Sequence, residues 1–99
     1  MAHKLKEYEQ RGTQRLFVFH CPGCGYDHPF HTGGDPATRP QWDWNGSLER
    51  PTFTPSLVVF KDNPVARCHL FMTDGNIQFL DDCFHNLAGK TVPVPDYEA

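Results

Sequence analysis

Two thiols stand three positions apart in His20-Cys21-Pro22-Gly23-Cys24-Gly25. Pro22, Gly23 and Gly25 give the backbone the bends needed to aim both sulfurs at one ion. Such a knuckle is half of a tetrahedral structural site, so two further ligands must come from elsewhere. Cys68, His69, Cys83 and His85 are the candidates. A redox pair would be expected to open a helix, which the proline and glycines here resist. Zinc is the expected occupant because Cys and His occur together and zinc is the ordinary metal of mixed sites. Cys68 and Cys83 could also be plain buried thiols. His28 and His31 lie in a stretch that reads as loop, where surface positions are commoner than ligation, and His3 lies on the N-terminal arm.

The elements that must position these residues are strands. Leu16-Phe17-Val18-Phe19 is aromatic and β-branched, and reads as a buried strand running into the knuckle. Residues 1–14 are polar and read as a surface arm, with room for a helical turn or two from Lys4 to Gln10. Tyr26 to Pro40 carries Gly33-Gly34 and three prolines and reads as a loop. Asn45-Gly46 after Trp42 and Trp44 predicts a hairpin, with both indoles on one strand face, packed on the core or exposed as an aromatic platform. Pro51 and Pro55 exclude a regular central strand between them, and Ser56 to Lys61 follows as a true strand.

A second hairpin, Arg67–Thr73 and Asn76–Leu80, turns at Asp74-Gly75. A two-residue turn pairs Met72 with Ile77 and Leu70 with Phe79, putting Cys68 on their face and His69 on the other with Phe71 and Leu80. Cys83 and His85 then share the parity of Phe79 if the strand continues. A three-residue turn with a glycine bulge would favour His69 as ligand instead. Phe84 to Gly89 reads as one helical turn, and Thr91 to Pro95 as an extended edge. The fold class expected is mainly β: one antiparallel domain over residues 1–99, an arm at 1–14 and a zinc-stapled core at 15–95, with short helical turns.

Length and composition bound the rest. Ninety-nine residues allow one modest core, and 9 prolines with 8 glycines make turns abundant and a staple useful. Met1-Ala2-His3-Lys4-Leu5-Lys6 leads into no apolar stretch of the signal-peptide kind, and no run approaches the roughly 20 apolar residues of a membrane span. A reducing cytosolic setting is therefore expected, where metal outranks disulfide. A net charge of −3 without a Lys/Arg cluster argues against a phosphate-driven nucleic-acid binder.

Cys21-Pro22-Gly23-Cys24, Trp44-Asn45-Gly46-Ser47, Pro51-Thr52-Phe53-Thr54-Pro55-Ser56, Cys68-His69, Asp74-Gly75-x-Ile77-x-Phe79-Leu80 and Asp82-Cys83-x-His85-x-Leu87-Ala88-Gly89-x-Thr91-Val92 together resemble a family of small uncharacterised proteins common in phage and prophage genomes. Its members are often mislabelled ammonia monooxygenase, an enzyme embedded in membranes. The resemblance spans residues 20 to about 95. It implies a histidine where His85 stands, while serine can stand where Cys83 is. On that ground the ligand set is Cys21, Cys24, Cys68 and His85, with Cys83 the competitor, around one structural zinc in the cytoplasm of a bacterial host.

Three functions follow as expectations. The favoured one is a zinc-stabilised binding or adaptor module for a host or phage protein, not an enzyme, with Trp42, Trp44 or Phe53 as contacts. The second is a zinc hydrolase with an open metal position and a base among Asp81, Asp82, His69 and His28. The third is a zinc-ribbon nucleic-acid module. Partner and oligomeric state stay open.

Overall fold

A computed structural model describes residues 3–97. Eight strands form two antiparallel sheets: β1 (Lys6–Arg11), β2 (Gln14–His20) and β3 (Asp27–Thr32) make one, in that order. The other runs β4 (Asp43–Trp44), β5 (Phe53–Val59), β6 (Cys68–Thr73), β7 (Asn76–Phe79) and β8 (Thr91–Pro93). Among the described residues there is no helix.

Alternation writes the core. Phe17 and Phe19 on β2 and Phe30 on β3 face Phe53 and Leu57 on β5, Leu70 and Met72 on β6, and Ile77 and Phe79 on β7, all buried in one cluster. The sheets meet through Phe30 and Phe53, whose rings stack at 3.9 Å with planes 2° apart. Burial of this aromatic surface is the principal stabilisation of so short a chain.

Several expectations change. Lys6–Arg11 is an edge strand rather than a helical turn. A turn or two of isolated helix is too short to persist, whereas β2 offers a free edge and Arg15 clamps Glu7 across it with two hydrogen bonds of 2.7 and 2.8 Å. That guanidinium holds the Glu7 carboxyl below its ordinary pKa. Within 26–40, Asp27–Thr32 is strand β3, its proline tolerated because β3 is the sheet's edge. Asn45-Gly46 does not close a two-residue hairpin. Asn45 Oδ1 instead accepts the Ser47 and Thr52 N–H groups, and a longer loop joins β4 to β5. Pro55 does break the ladder, since register is lost between Phe53 and Leu57, yet β5 lies inside the sheet. Residues 84–89 are turns, with Ala88 N–H donating to His85 C=O.

Two readings hold. The Asp74-Gly75 turn has two residues, both at positive φ (52° and 78°), with Met72 opposite Ile77 and Leu70 opposite Phe79. β8 is an edge strand. Trp42 and Trp44 take the core option: they pack on Phe30 and Phe17, and their indole N–H groups donate to Ser56 C=O and Ser47 C=O. Phe53 is 1% exposed and offers no contact surface.

Candidate active site and metal centre

Strand β6 divides its residues between two sites. Cys68 points inward with Leu70 and Met72; His69 points outward with Phe71.

On the inner side, Cys21 continues the stripe of Phe17 and Phe19, His28 that of Phe30, and Cys68 that of Leu70. Three core-facing stripes thus end at one place, and one donor atom each from Cys21, Cys24, His28 and Cys68 lies within 4.8 Å of all the others. Tetrahedral zinc with Zn–S of about 2.3 Å spaces its sulfurs at about 3.8 Å, which this grouping accommodates. The knuckle is drawn tight by Gly25 N–H to Cys21 C=O (2.8 Å), Cys21 N–H to Tyr26 C=O (3.1 Å) and Cys24 N–H to Cys21 Sγ (3.4 Å). His28 is 1% exposed, and its buried Nε2 lacks a hydrogen-bond partner, an arrangement that costs free energy unless something else engages that nitrogen.

The sulfurs compete for one negative charge. The Cys68 thiol donating to Cys21 draws Cys21 down to about 3, and the same bond together with burial pushes Cys68 far up. Burial and the Cys21 charge push Cys24 up to about 11. A divalent cation among them relieves the conflict by letting all three ionise.

His85 approaches the same cluster from outside. Its Nε2 is 3.5 Å from Cys68 Sγ, and its Nδ1 accepts the Leu87 N–H at 3.2 Å. A backbone N–H can only donate, so in neutral His85 the ring proton sits on Nε2 and faces the sulfur. Its ring also covers the knuckle: a Cβ at Gly23 would lie 2.3 Å from His85 Cε1, so any side chain there would displace the ring. Cys68, Cys83 and His85 form a second trio within 4.8 Å of one another.

On the outer side, Ser56 follows the break in β5, and His69 pairs with Val58, two residues further along. Ser56 Oγ is 3.1 Å from His69 Nε2, and His69 Nδ1 is 3.3 Å from Asp82 Oδ2. The imidazole is 26% and the carboxylate 42% exposed, so the line opens to solvent. Asp82 beside Nδ1 selects the tautomer whose Nε2 accepts the Ser56 hydroxyl, the polarity of a nucleophilic triad. Catalytic hydrogen bonds before substrate arrives are commonly this long. Arg67 Nε donates to Asp82 C=O at 3.2 Å and fixes that loop.

Cys83 holds the base in place. Its Sγ accepts the His69 N–H at 3.2 Å and its thiol donates to His69 C=O at 3.1 Å. Replacing it by Ala leaves the part-buried His69 N–H without a partner, at a cost of roughly 1 to 3 kcal/mol, while His69 C=O keeps the Leu80 N–H. Cys83→Ala is expected to lower kcat about tenfold or more with KM little changed, while Cys83→Ser, which can both donate and accept, restores it. Equal kcat in both variants would show that the thiol only fills space.

Sequence reasoning places His69 away from Cys68 and offers Asp82, with Asp81, His69 and His28, as a base beside an open metal position, but does not bring in Ser56. The usable signal was parity: Ser56 and Val58 share a face of β5, and the chain has only two serines, Ser47 and Ser56. Ser47 Oγ accepts the Arg50 N–H within a turn.

A family model described as "Bacterial ubiquitination-like system serine protease (BubE)" matches residues 2–80, most of the chain. The chain belongs to the BubE family. That description names a bacterial system, where the motifs resembled a phage-gene family. The BubE match takes in Ser56 and His69 and ends two residues before Asp82. Comparison with curated proteins and with solved structures gave no match. Among the described residues of this BubE-family chain, no helix is long and apolar enough to cross a membrane.

Proposed function

We propose that this chain is a serine peptidase of a bacterial ubiquitination-like system, built on a zinc-clamped β domain. The observation that carries the reading is the Ser56–His69–Asp82 line on the solvent face of β5 and β6. Ser56 Oγ attacks the carbonyl carbon of a peptide or isopeptide bond while its proton passes to His69 Nε2. The amine departs with that proton, leaving an acyl ester on Ser56. Water then attacks the ester, His69 taking and returning a proton, and the acid is released. Asp82 keeps the imidazole in the required tautomer and stabilises its cation. The family description names the same reaction class.

Zinc, in this reading, is structural. Cys21, Cys24, Cys68 and His28 are the four ligands, because the unpartnered Nε2 of His28 is explained by the metal, while His85 donates its proton to the Cys68 thiolate. Cys21 and Cys68 are 0% and His28 1% exposed, with Cys24 part-buried, and four protein ligands together favour a closed site over a metal-bound water reached by substrate. The adaptor reading loses the exposed Trp42, Trp44 and Phe53 that it called on as contacts.

An alkyl fluorophosphonate tests the reading directly. It is expected to add one adduct per chain, mapping to Ser56 and absent from Ser56→Ala. An unlabelled protein, or labelling unchanged in that variant, would refute it.

A further inference from the structure

The ladder between β5 and β6 leaves one backbone edge beside the nucleophile open. Val58 pairs with His69 in register. His69, however, gives its N–H to Cys83 Sγ and takes its hydrogen bonds at C=O from Leu80 N–H and Cys83, all on the β7 side. The pair is therefore of the non-hydrogen-bonded kind, and Val58 turns its own N–H and C=O to the opposite side of β5. Ser56 has the same parity, and its C=O does face that side, where the Trp42 indole takes it. Beyond that indole β5 has no neighbour among the described strands: β4 is two residues long and pairs only with Phe53 and Thr54. Val58 is 37% exposed.

We propose that the substrate of the Ser56 centre binds as an extended peptide segment added to β5, exchanging two backbone hydrogen bonds with Val58 and so carrying its scissile carbonyl to Ser56. The inference rests on the peptidase reading and specifies the substrate's form. An extended strand is what an unpaired N–H and C=O two residues from a nucleophile can recognise, and main-chain pairing provides affinity without regard to sequence. Side chains of the added strand alternate, so one of them faces the outer surface, where Val58 and Phe71, 39% exposed, offer apolar contact.

Two measurements test it. Amide hydrogen exchange in the free protein should find Val58 fast while Leu57 and Val59, which face β6, are protected; a protected Val58 would mean the edge is already closed. Inactivation rates are then compared between an alkyl fluorophosphonate and a library of acetyl-tripeptidyl diphenyl phosphonates, in which Ser56 Oγ bonds to phosphorus and phenol leaves with the proton. The best peptidyl reagents are expected to lose about tenfold in rate when the amide that pairs with Val58 is N-methylated, the worth of one to two hydrogen bonds. Val58→Pro, which lacks the N–H, should lower the ratio of peptidyl to alkyl rates by a similar factor. Rates indifferent to N-methylation and to Val58→Pro, with Ser56 still labelled by the alkyl reagent, would overturn the strand-addition inference alone. Failure of the alkyl reagent to label Ser56 would overturn the peptidase reading and this inference with it.

Discussion

Ser56→Ala is expected to reduce hydrolysis by about 10⁴-fold or more while leaving the fold intact, because acyl transfer then loses its nucleophile but nothing in the core. Ser56 is only part-buried, and its side chain contacts His69 rather than the aromatic cluster, so thermal unfolding should move by about 1 kcal/mol at most. Asp82→Asn is expected to cost less, about 10³-fold, although the amide tends to hold His69 in the wrong tautomer. The carboxylate is 42% exposed, and Arg67 Nε lies 3.7 Å from it, so its charge is already shared and screened. Single-turnover measurements on the two variants, with unfolding monitored by circular dichroism, check both. Residual activity in Ser56→Ala equal to the parent would place the reaction elsewhere.

Stripping the metal is expected to abolish the same activity, although no step of the proposed reaction passes through the metal. Zinc bound by thiolates and imidazole contributes roughly 10 to 16 kcal/mol in small domains. That is as large as the total stability of about 5 to 15 kcal/mol usual for a domain. Titration with a zinc chelator should therefore lower circular dichroism and hydrolysis together, and added zinc should restore both. Hydrolysis surviving in metal-free protein would make the site dispensable; hydrolysis lost with every strand retained would give the metal a part in the chemistry. Ligand and donor roles separate by affinity. His28→Gln should weaken zinc binding beyond 100-fold, and His85→Gln by about 10- to 100-fold, the usual effect of losing a hydrogen bond to a ligand. A reversed order would make His85 the fourth ligand.

The inner site was partly legible in the sequence. Cys21-Pro22-Gly23-Cys24 declares its own geometry, and the Asp74-Gly75 turn sets the register that turns Cys68 inward. His28 was harder to see because Pro29 beside it disguised an edge strand as a loop, hiding the alternation His28, Phe30, Thr32 that all face inward. The N-terminal strand was concealed differently: a polar hexapeptide has no tendency of its own to extend, and only the free edge of β2 makes it a strand. The outer site was legible only as separate residues, His69 and Asp82 without Ser56, for a third reason. Ser56, His69 and Asp82 come from three segments, and the break in β5 at Pro55 leaves no unbroken register from which to count across to His69. Short spacings reveal the knuckle, whereas a triad assembled across strands is visible only once the sheet exists.

Cys68 and His69 are consecutive, and a strand sends consecutive side chains to opposite faces. The proposed hydrolytic base and a proposed metal ligand are therefore inherited as a single dipeptide. Recombination cannot carry one to another protein without the other, and a graft of β6 onto a foreign sheet brings with it an unmet demand for three more ligands. On the proposed reading, a metal-independent descendant would have to rebuild the core behind Ser56 and His69 before it could dispense with the ion.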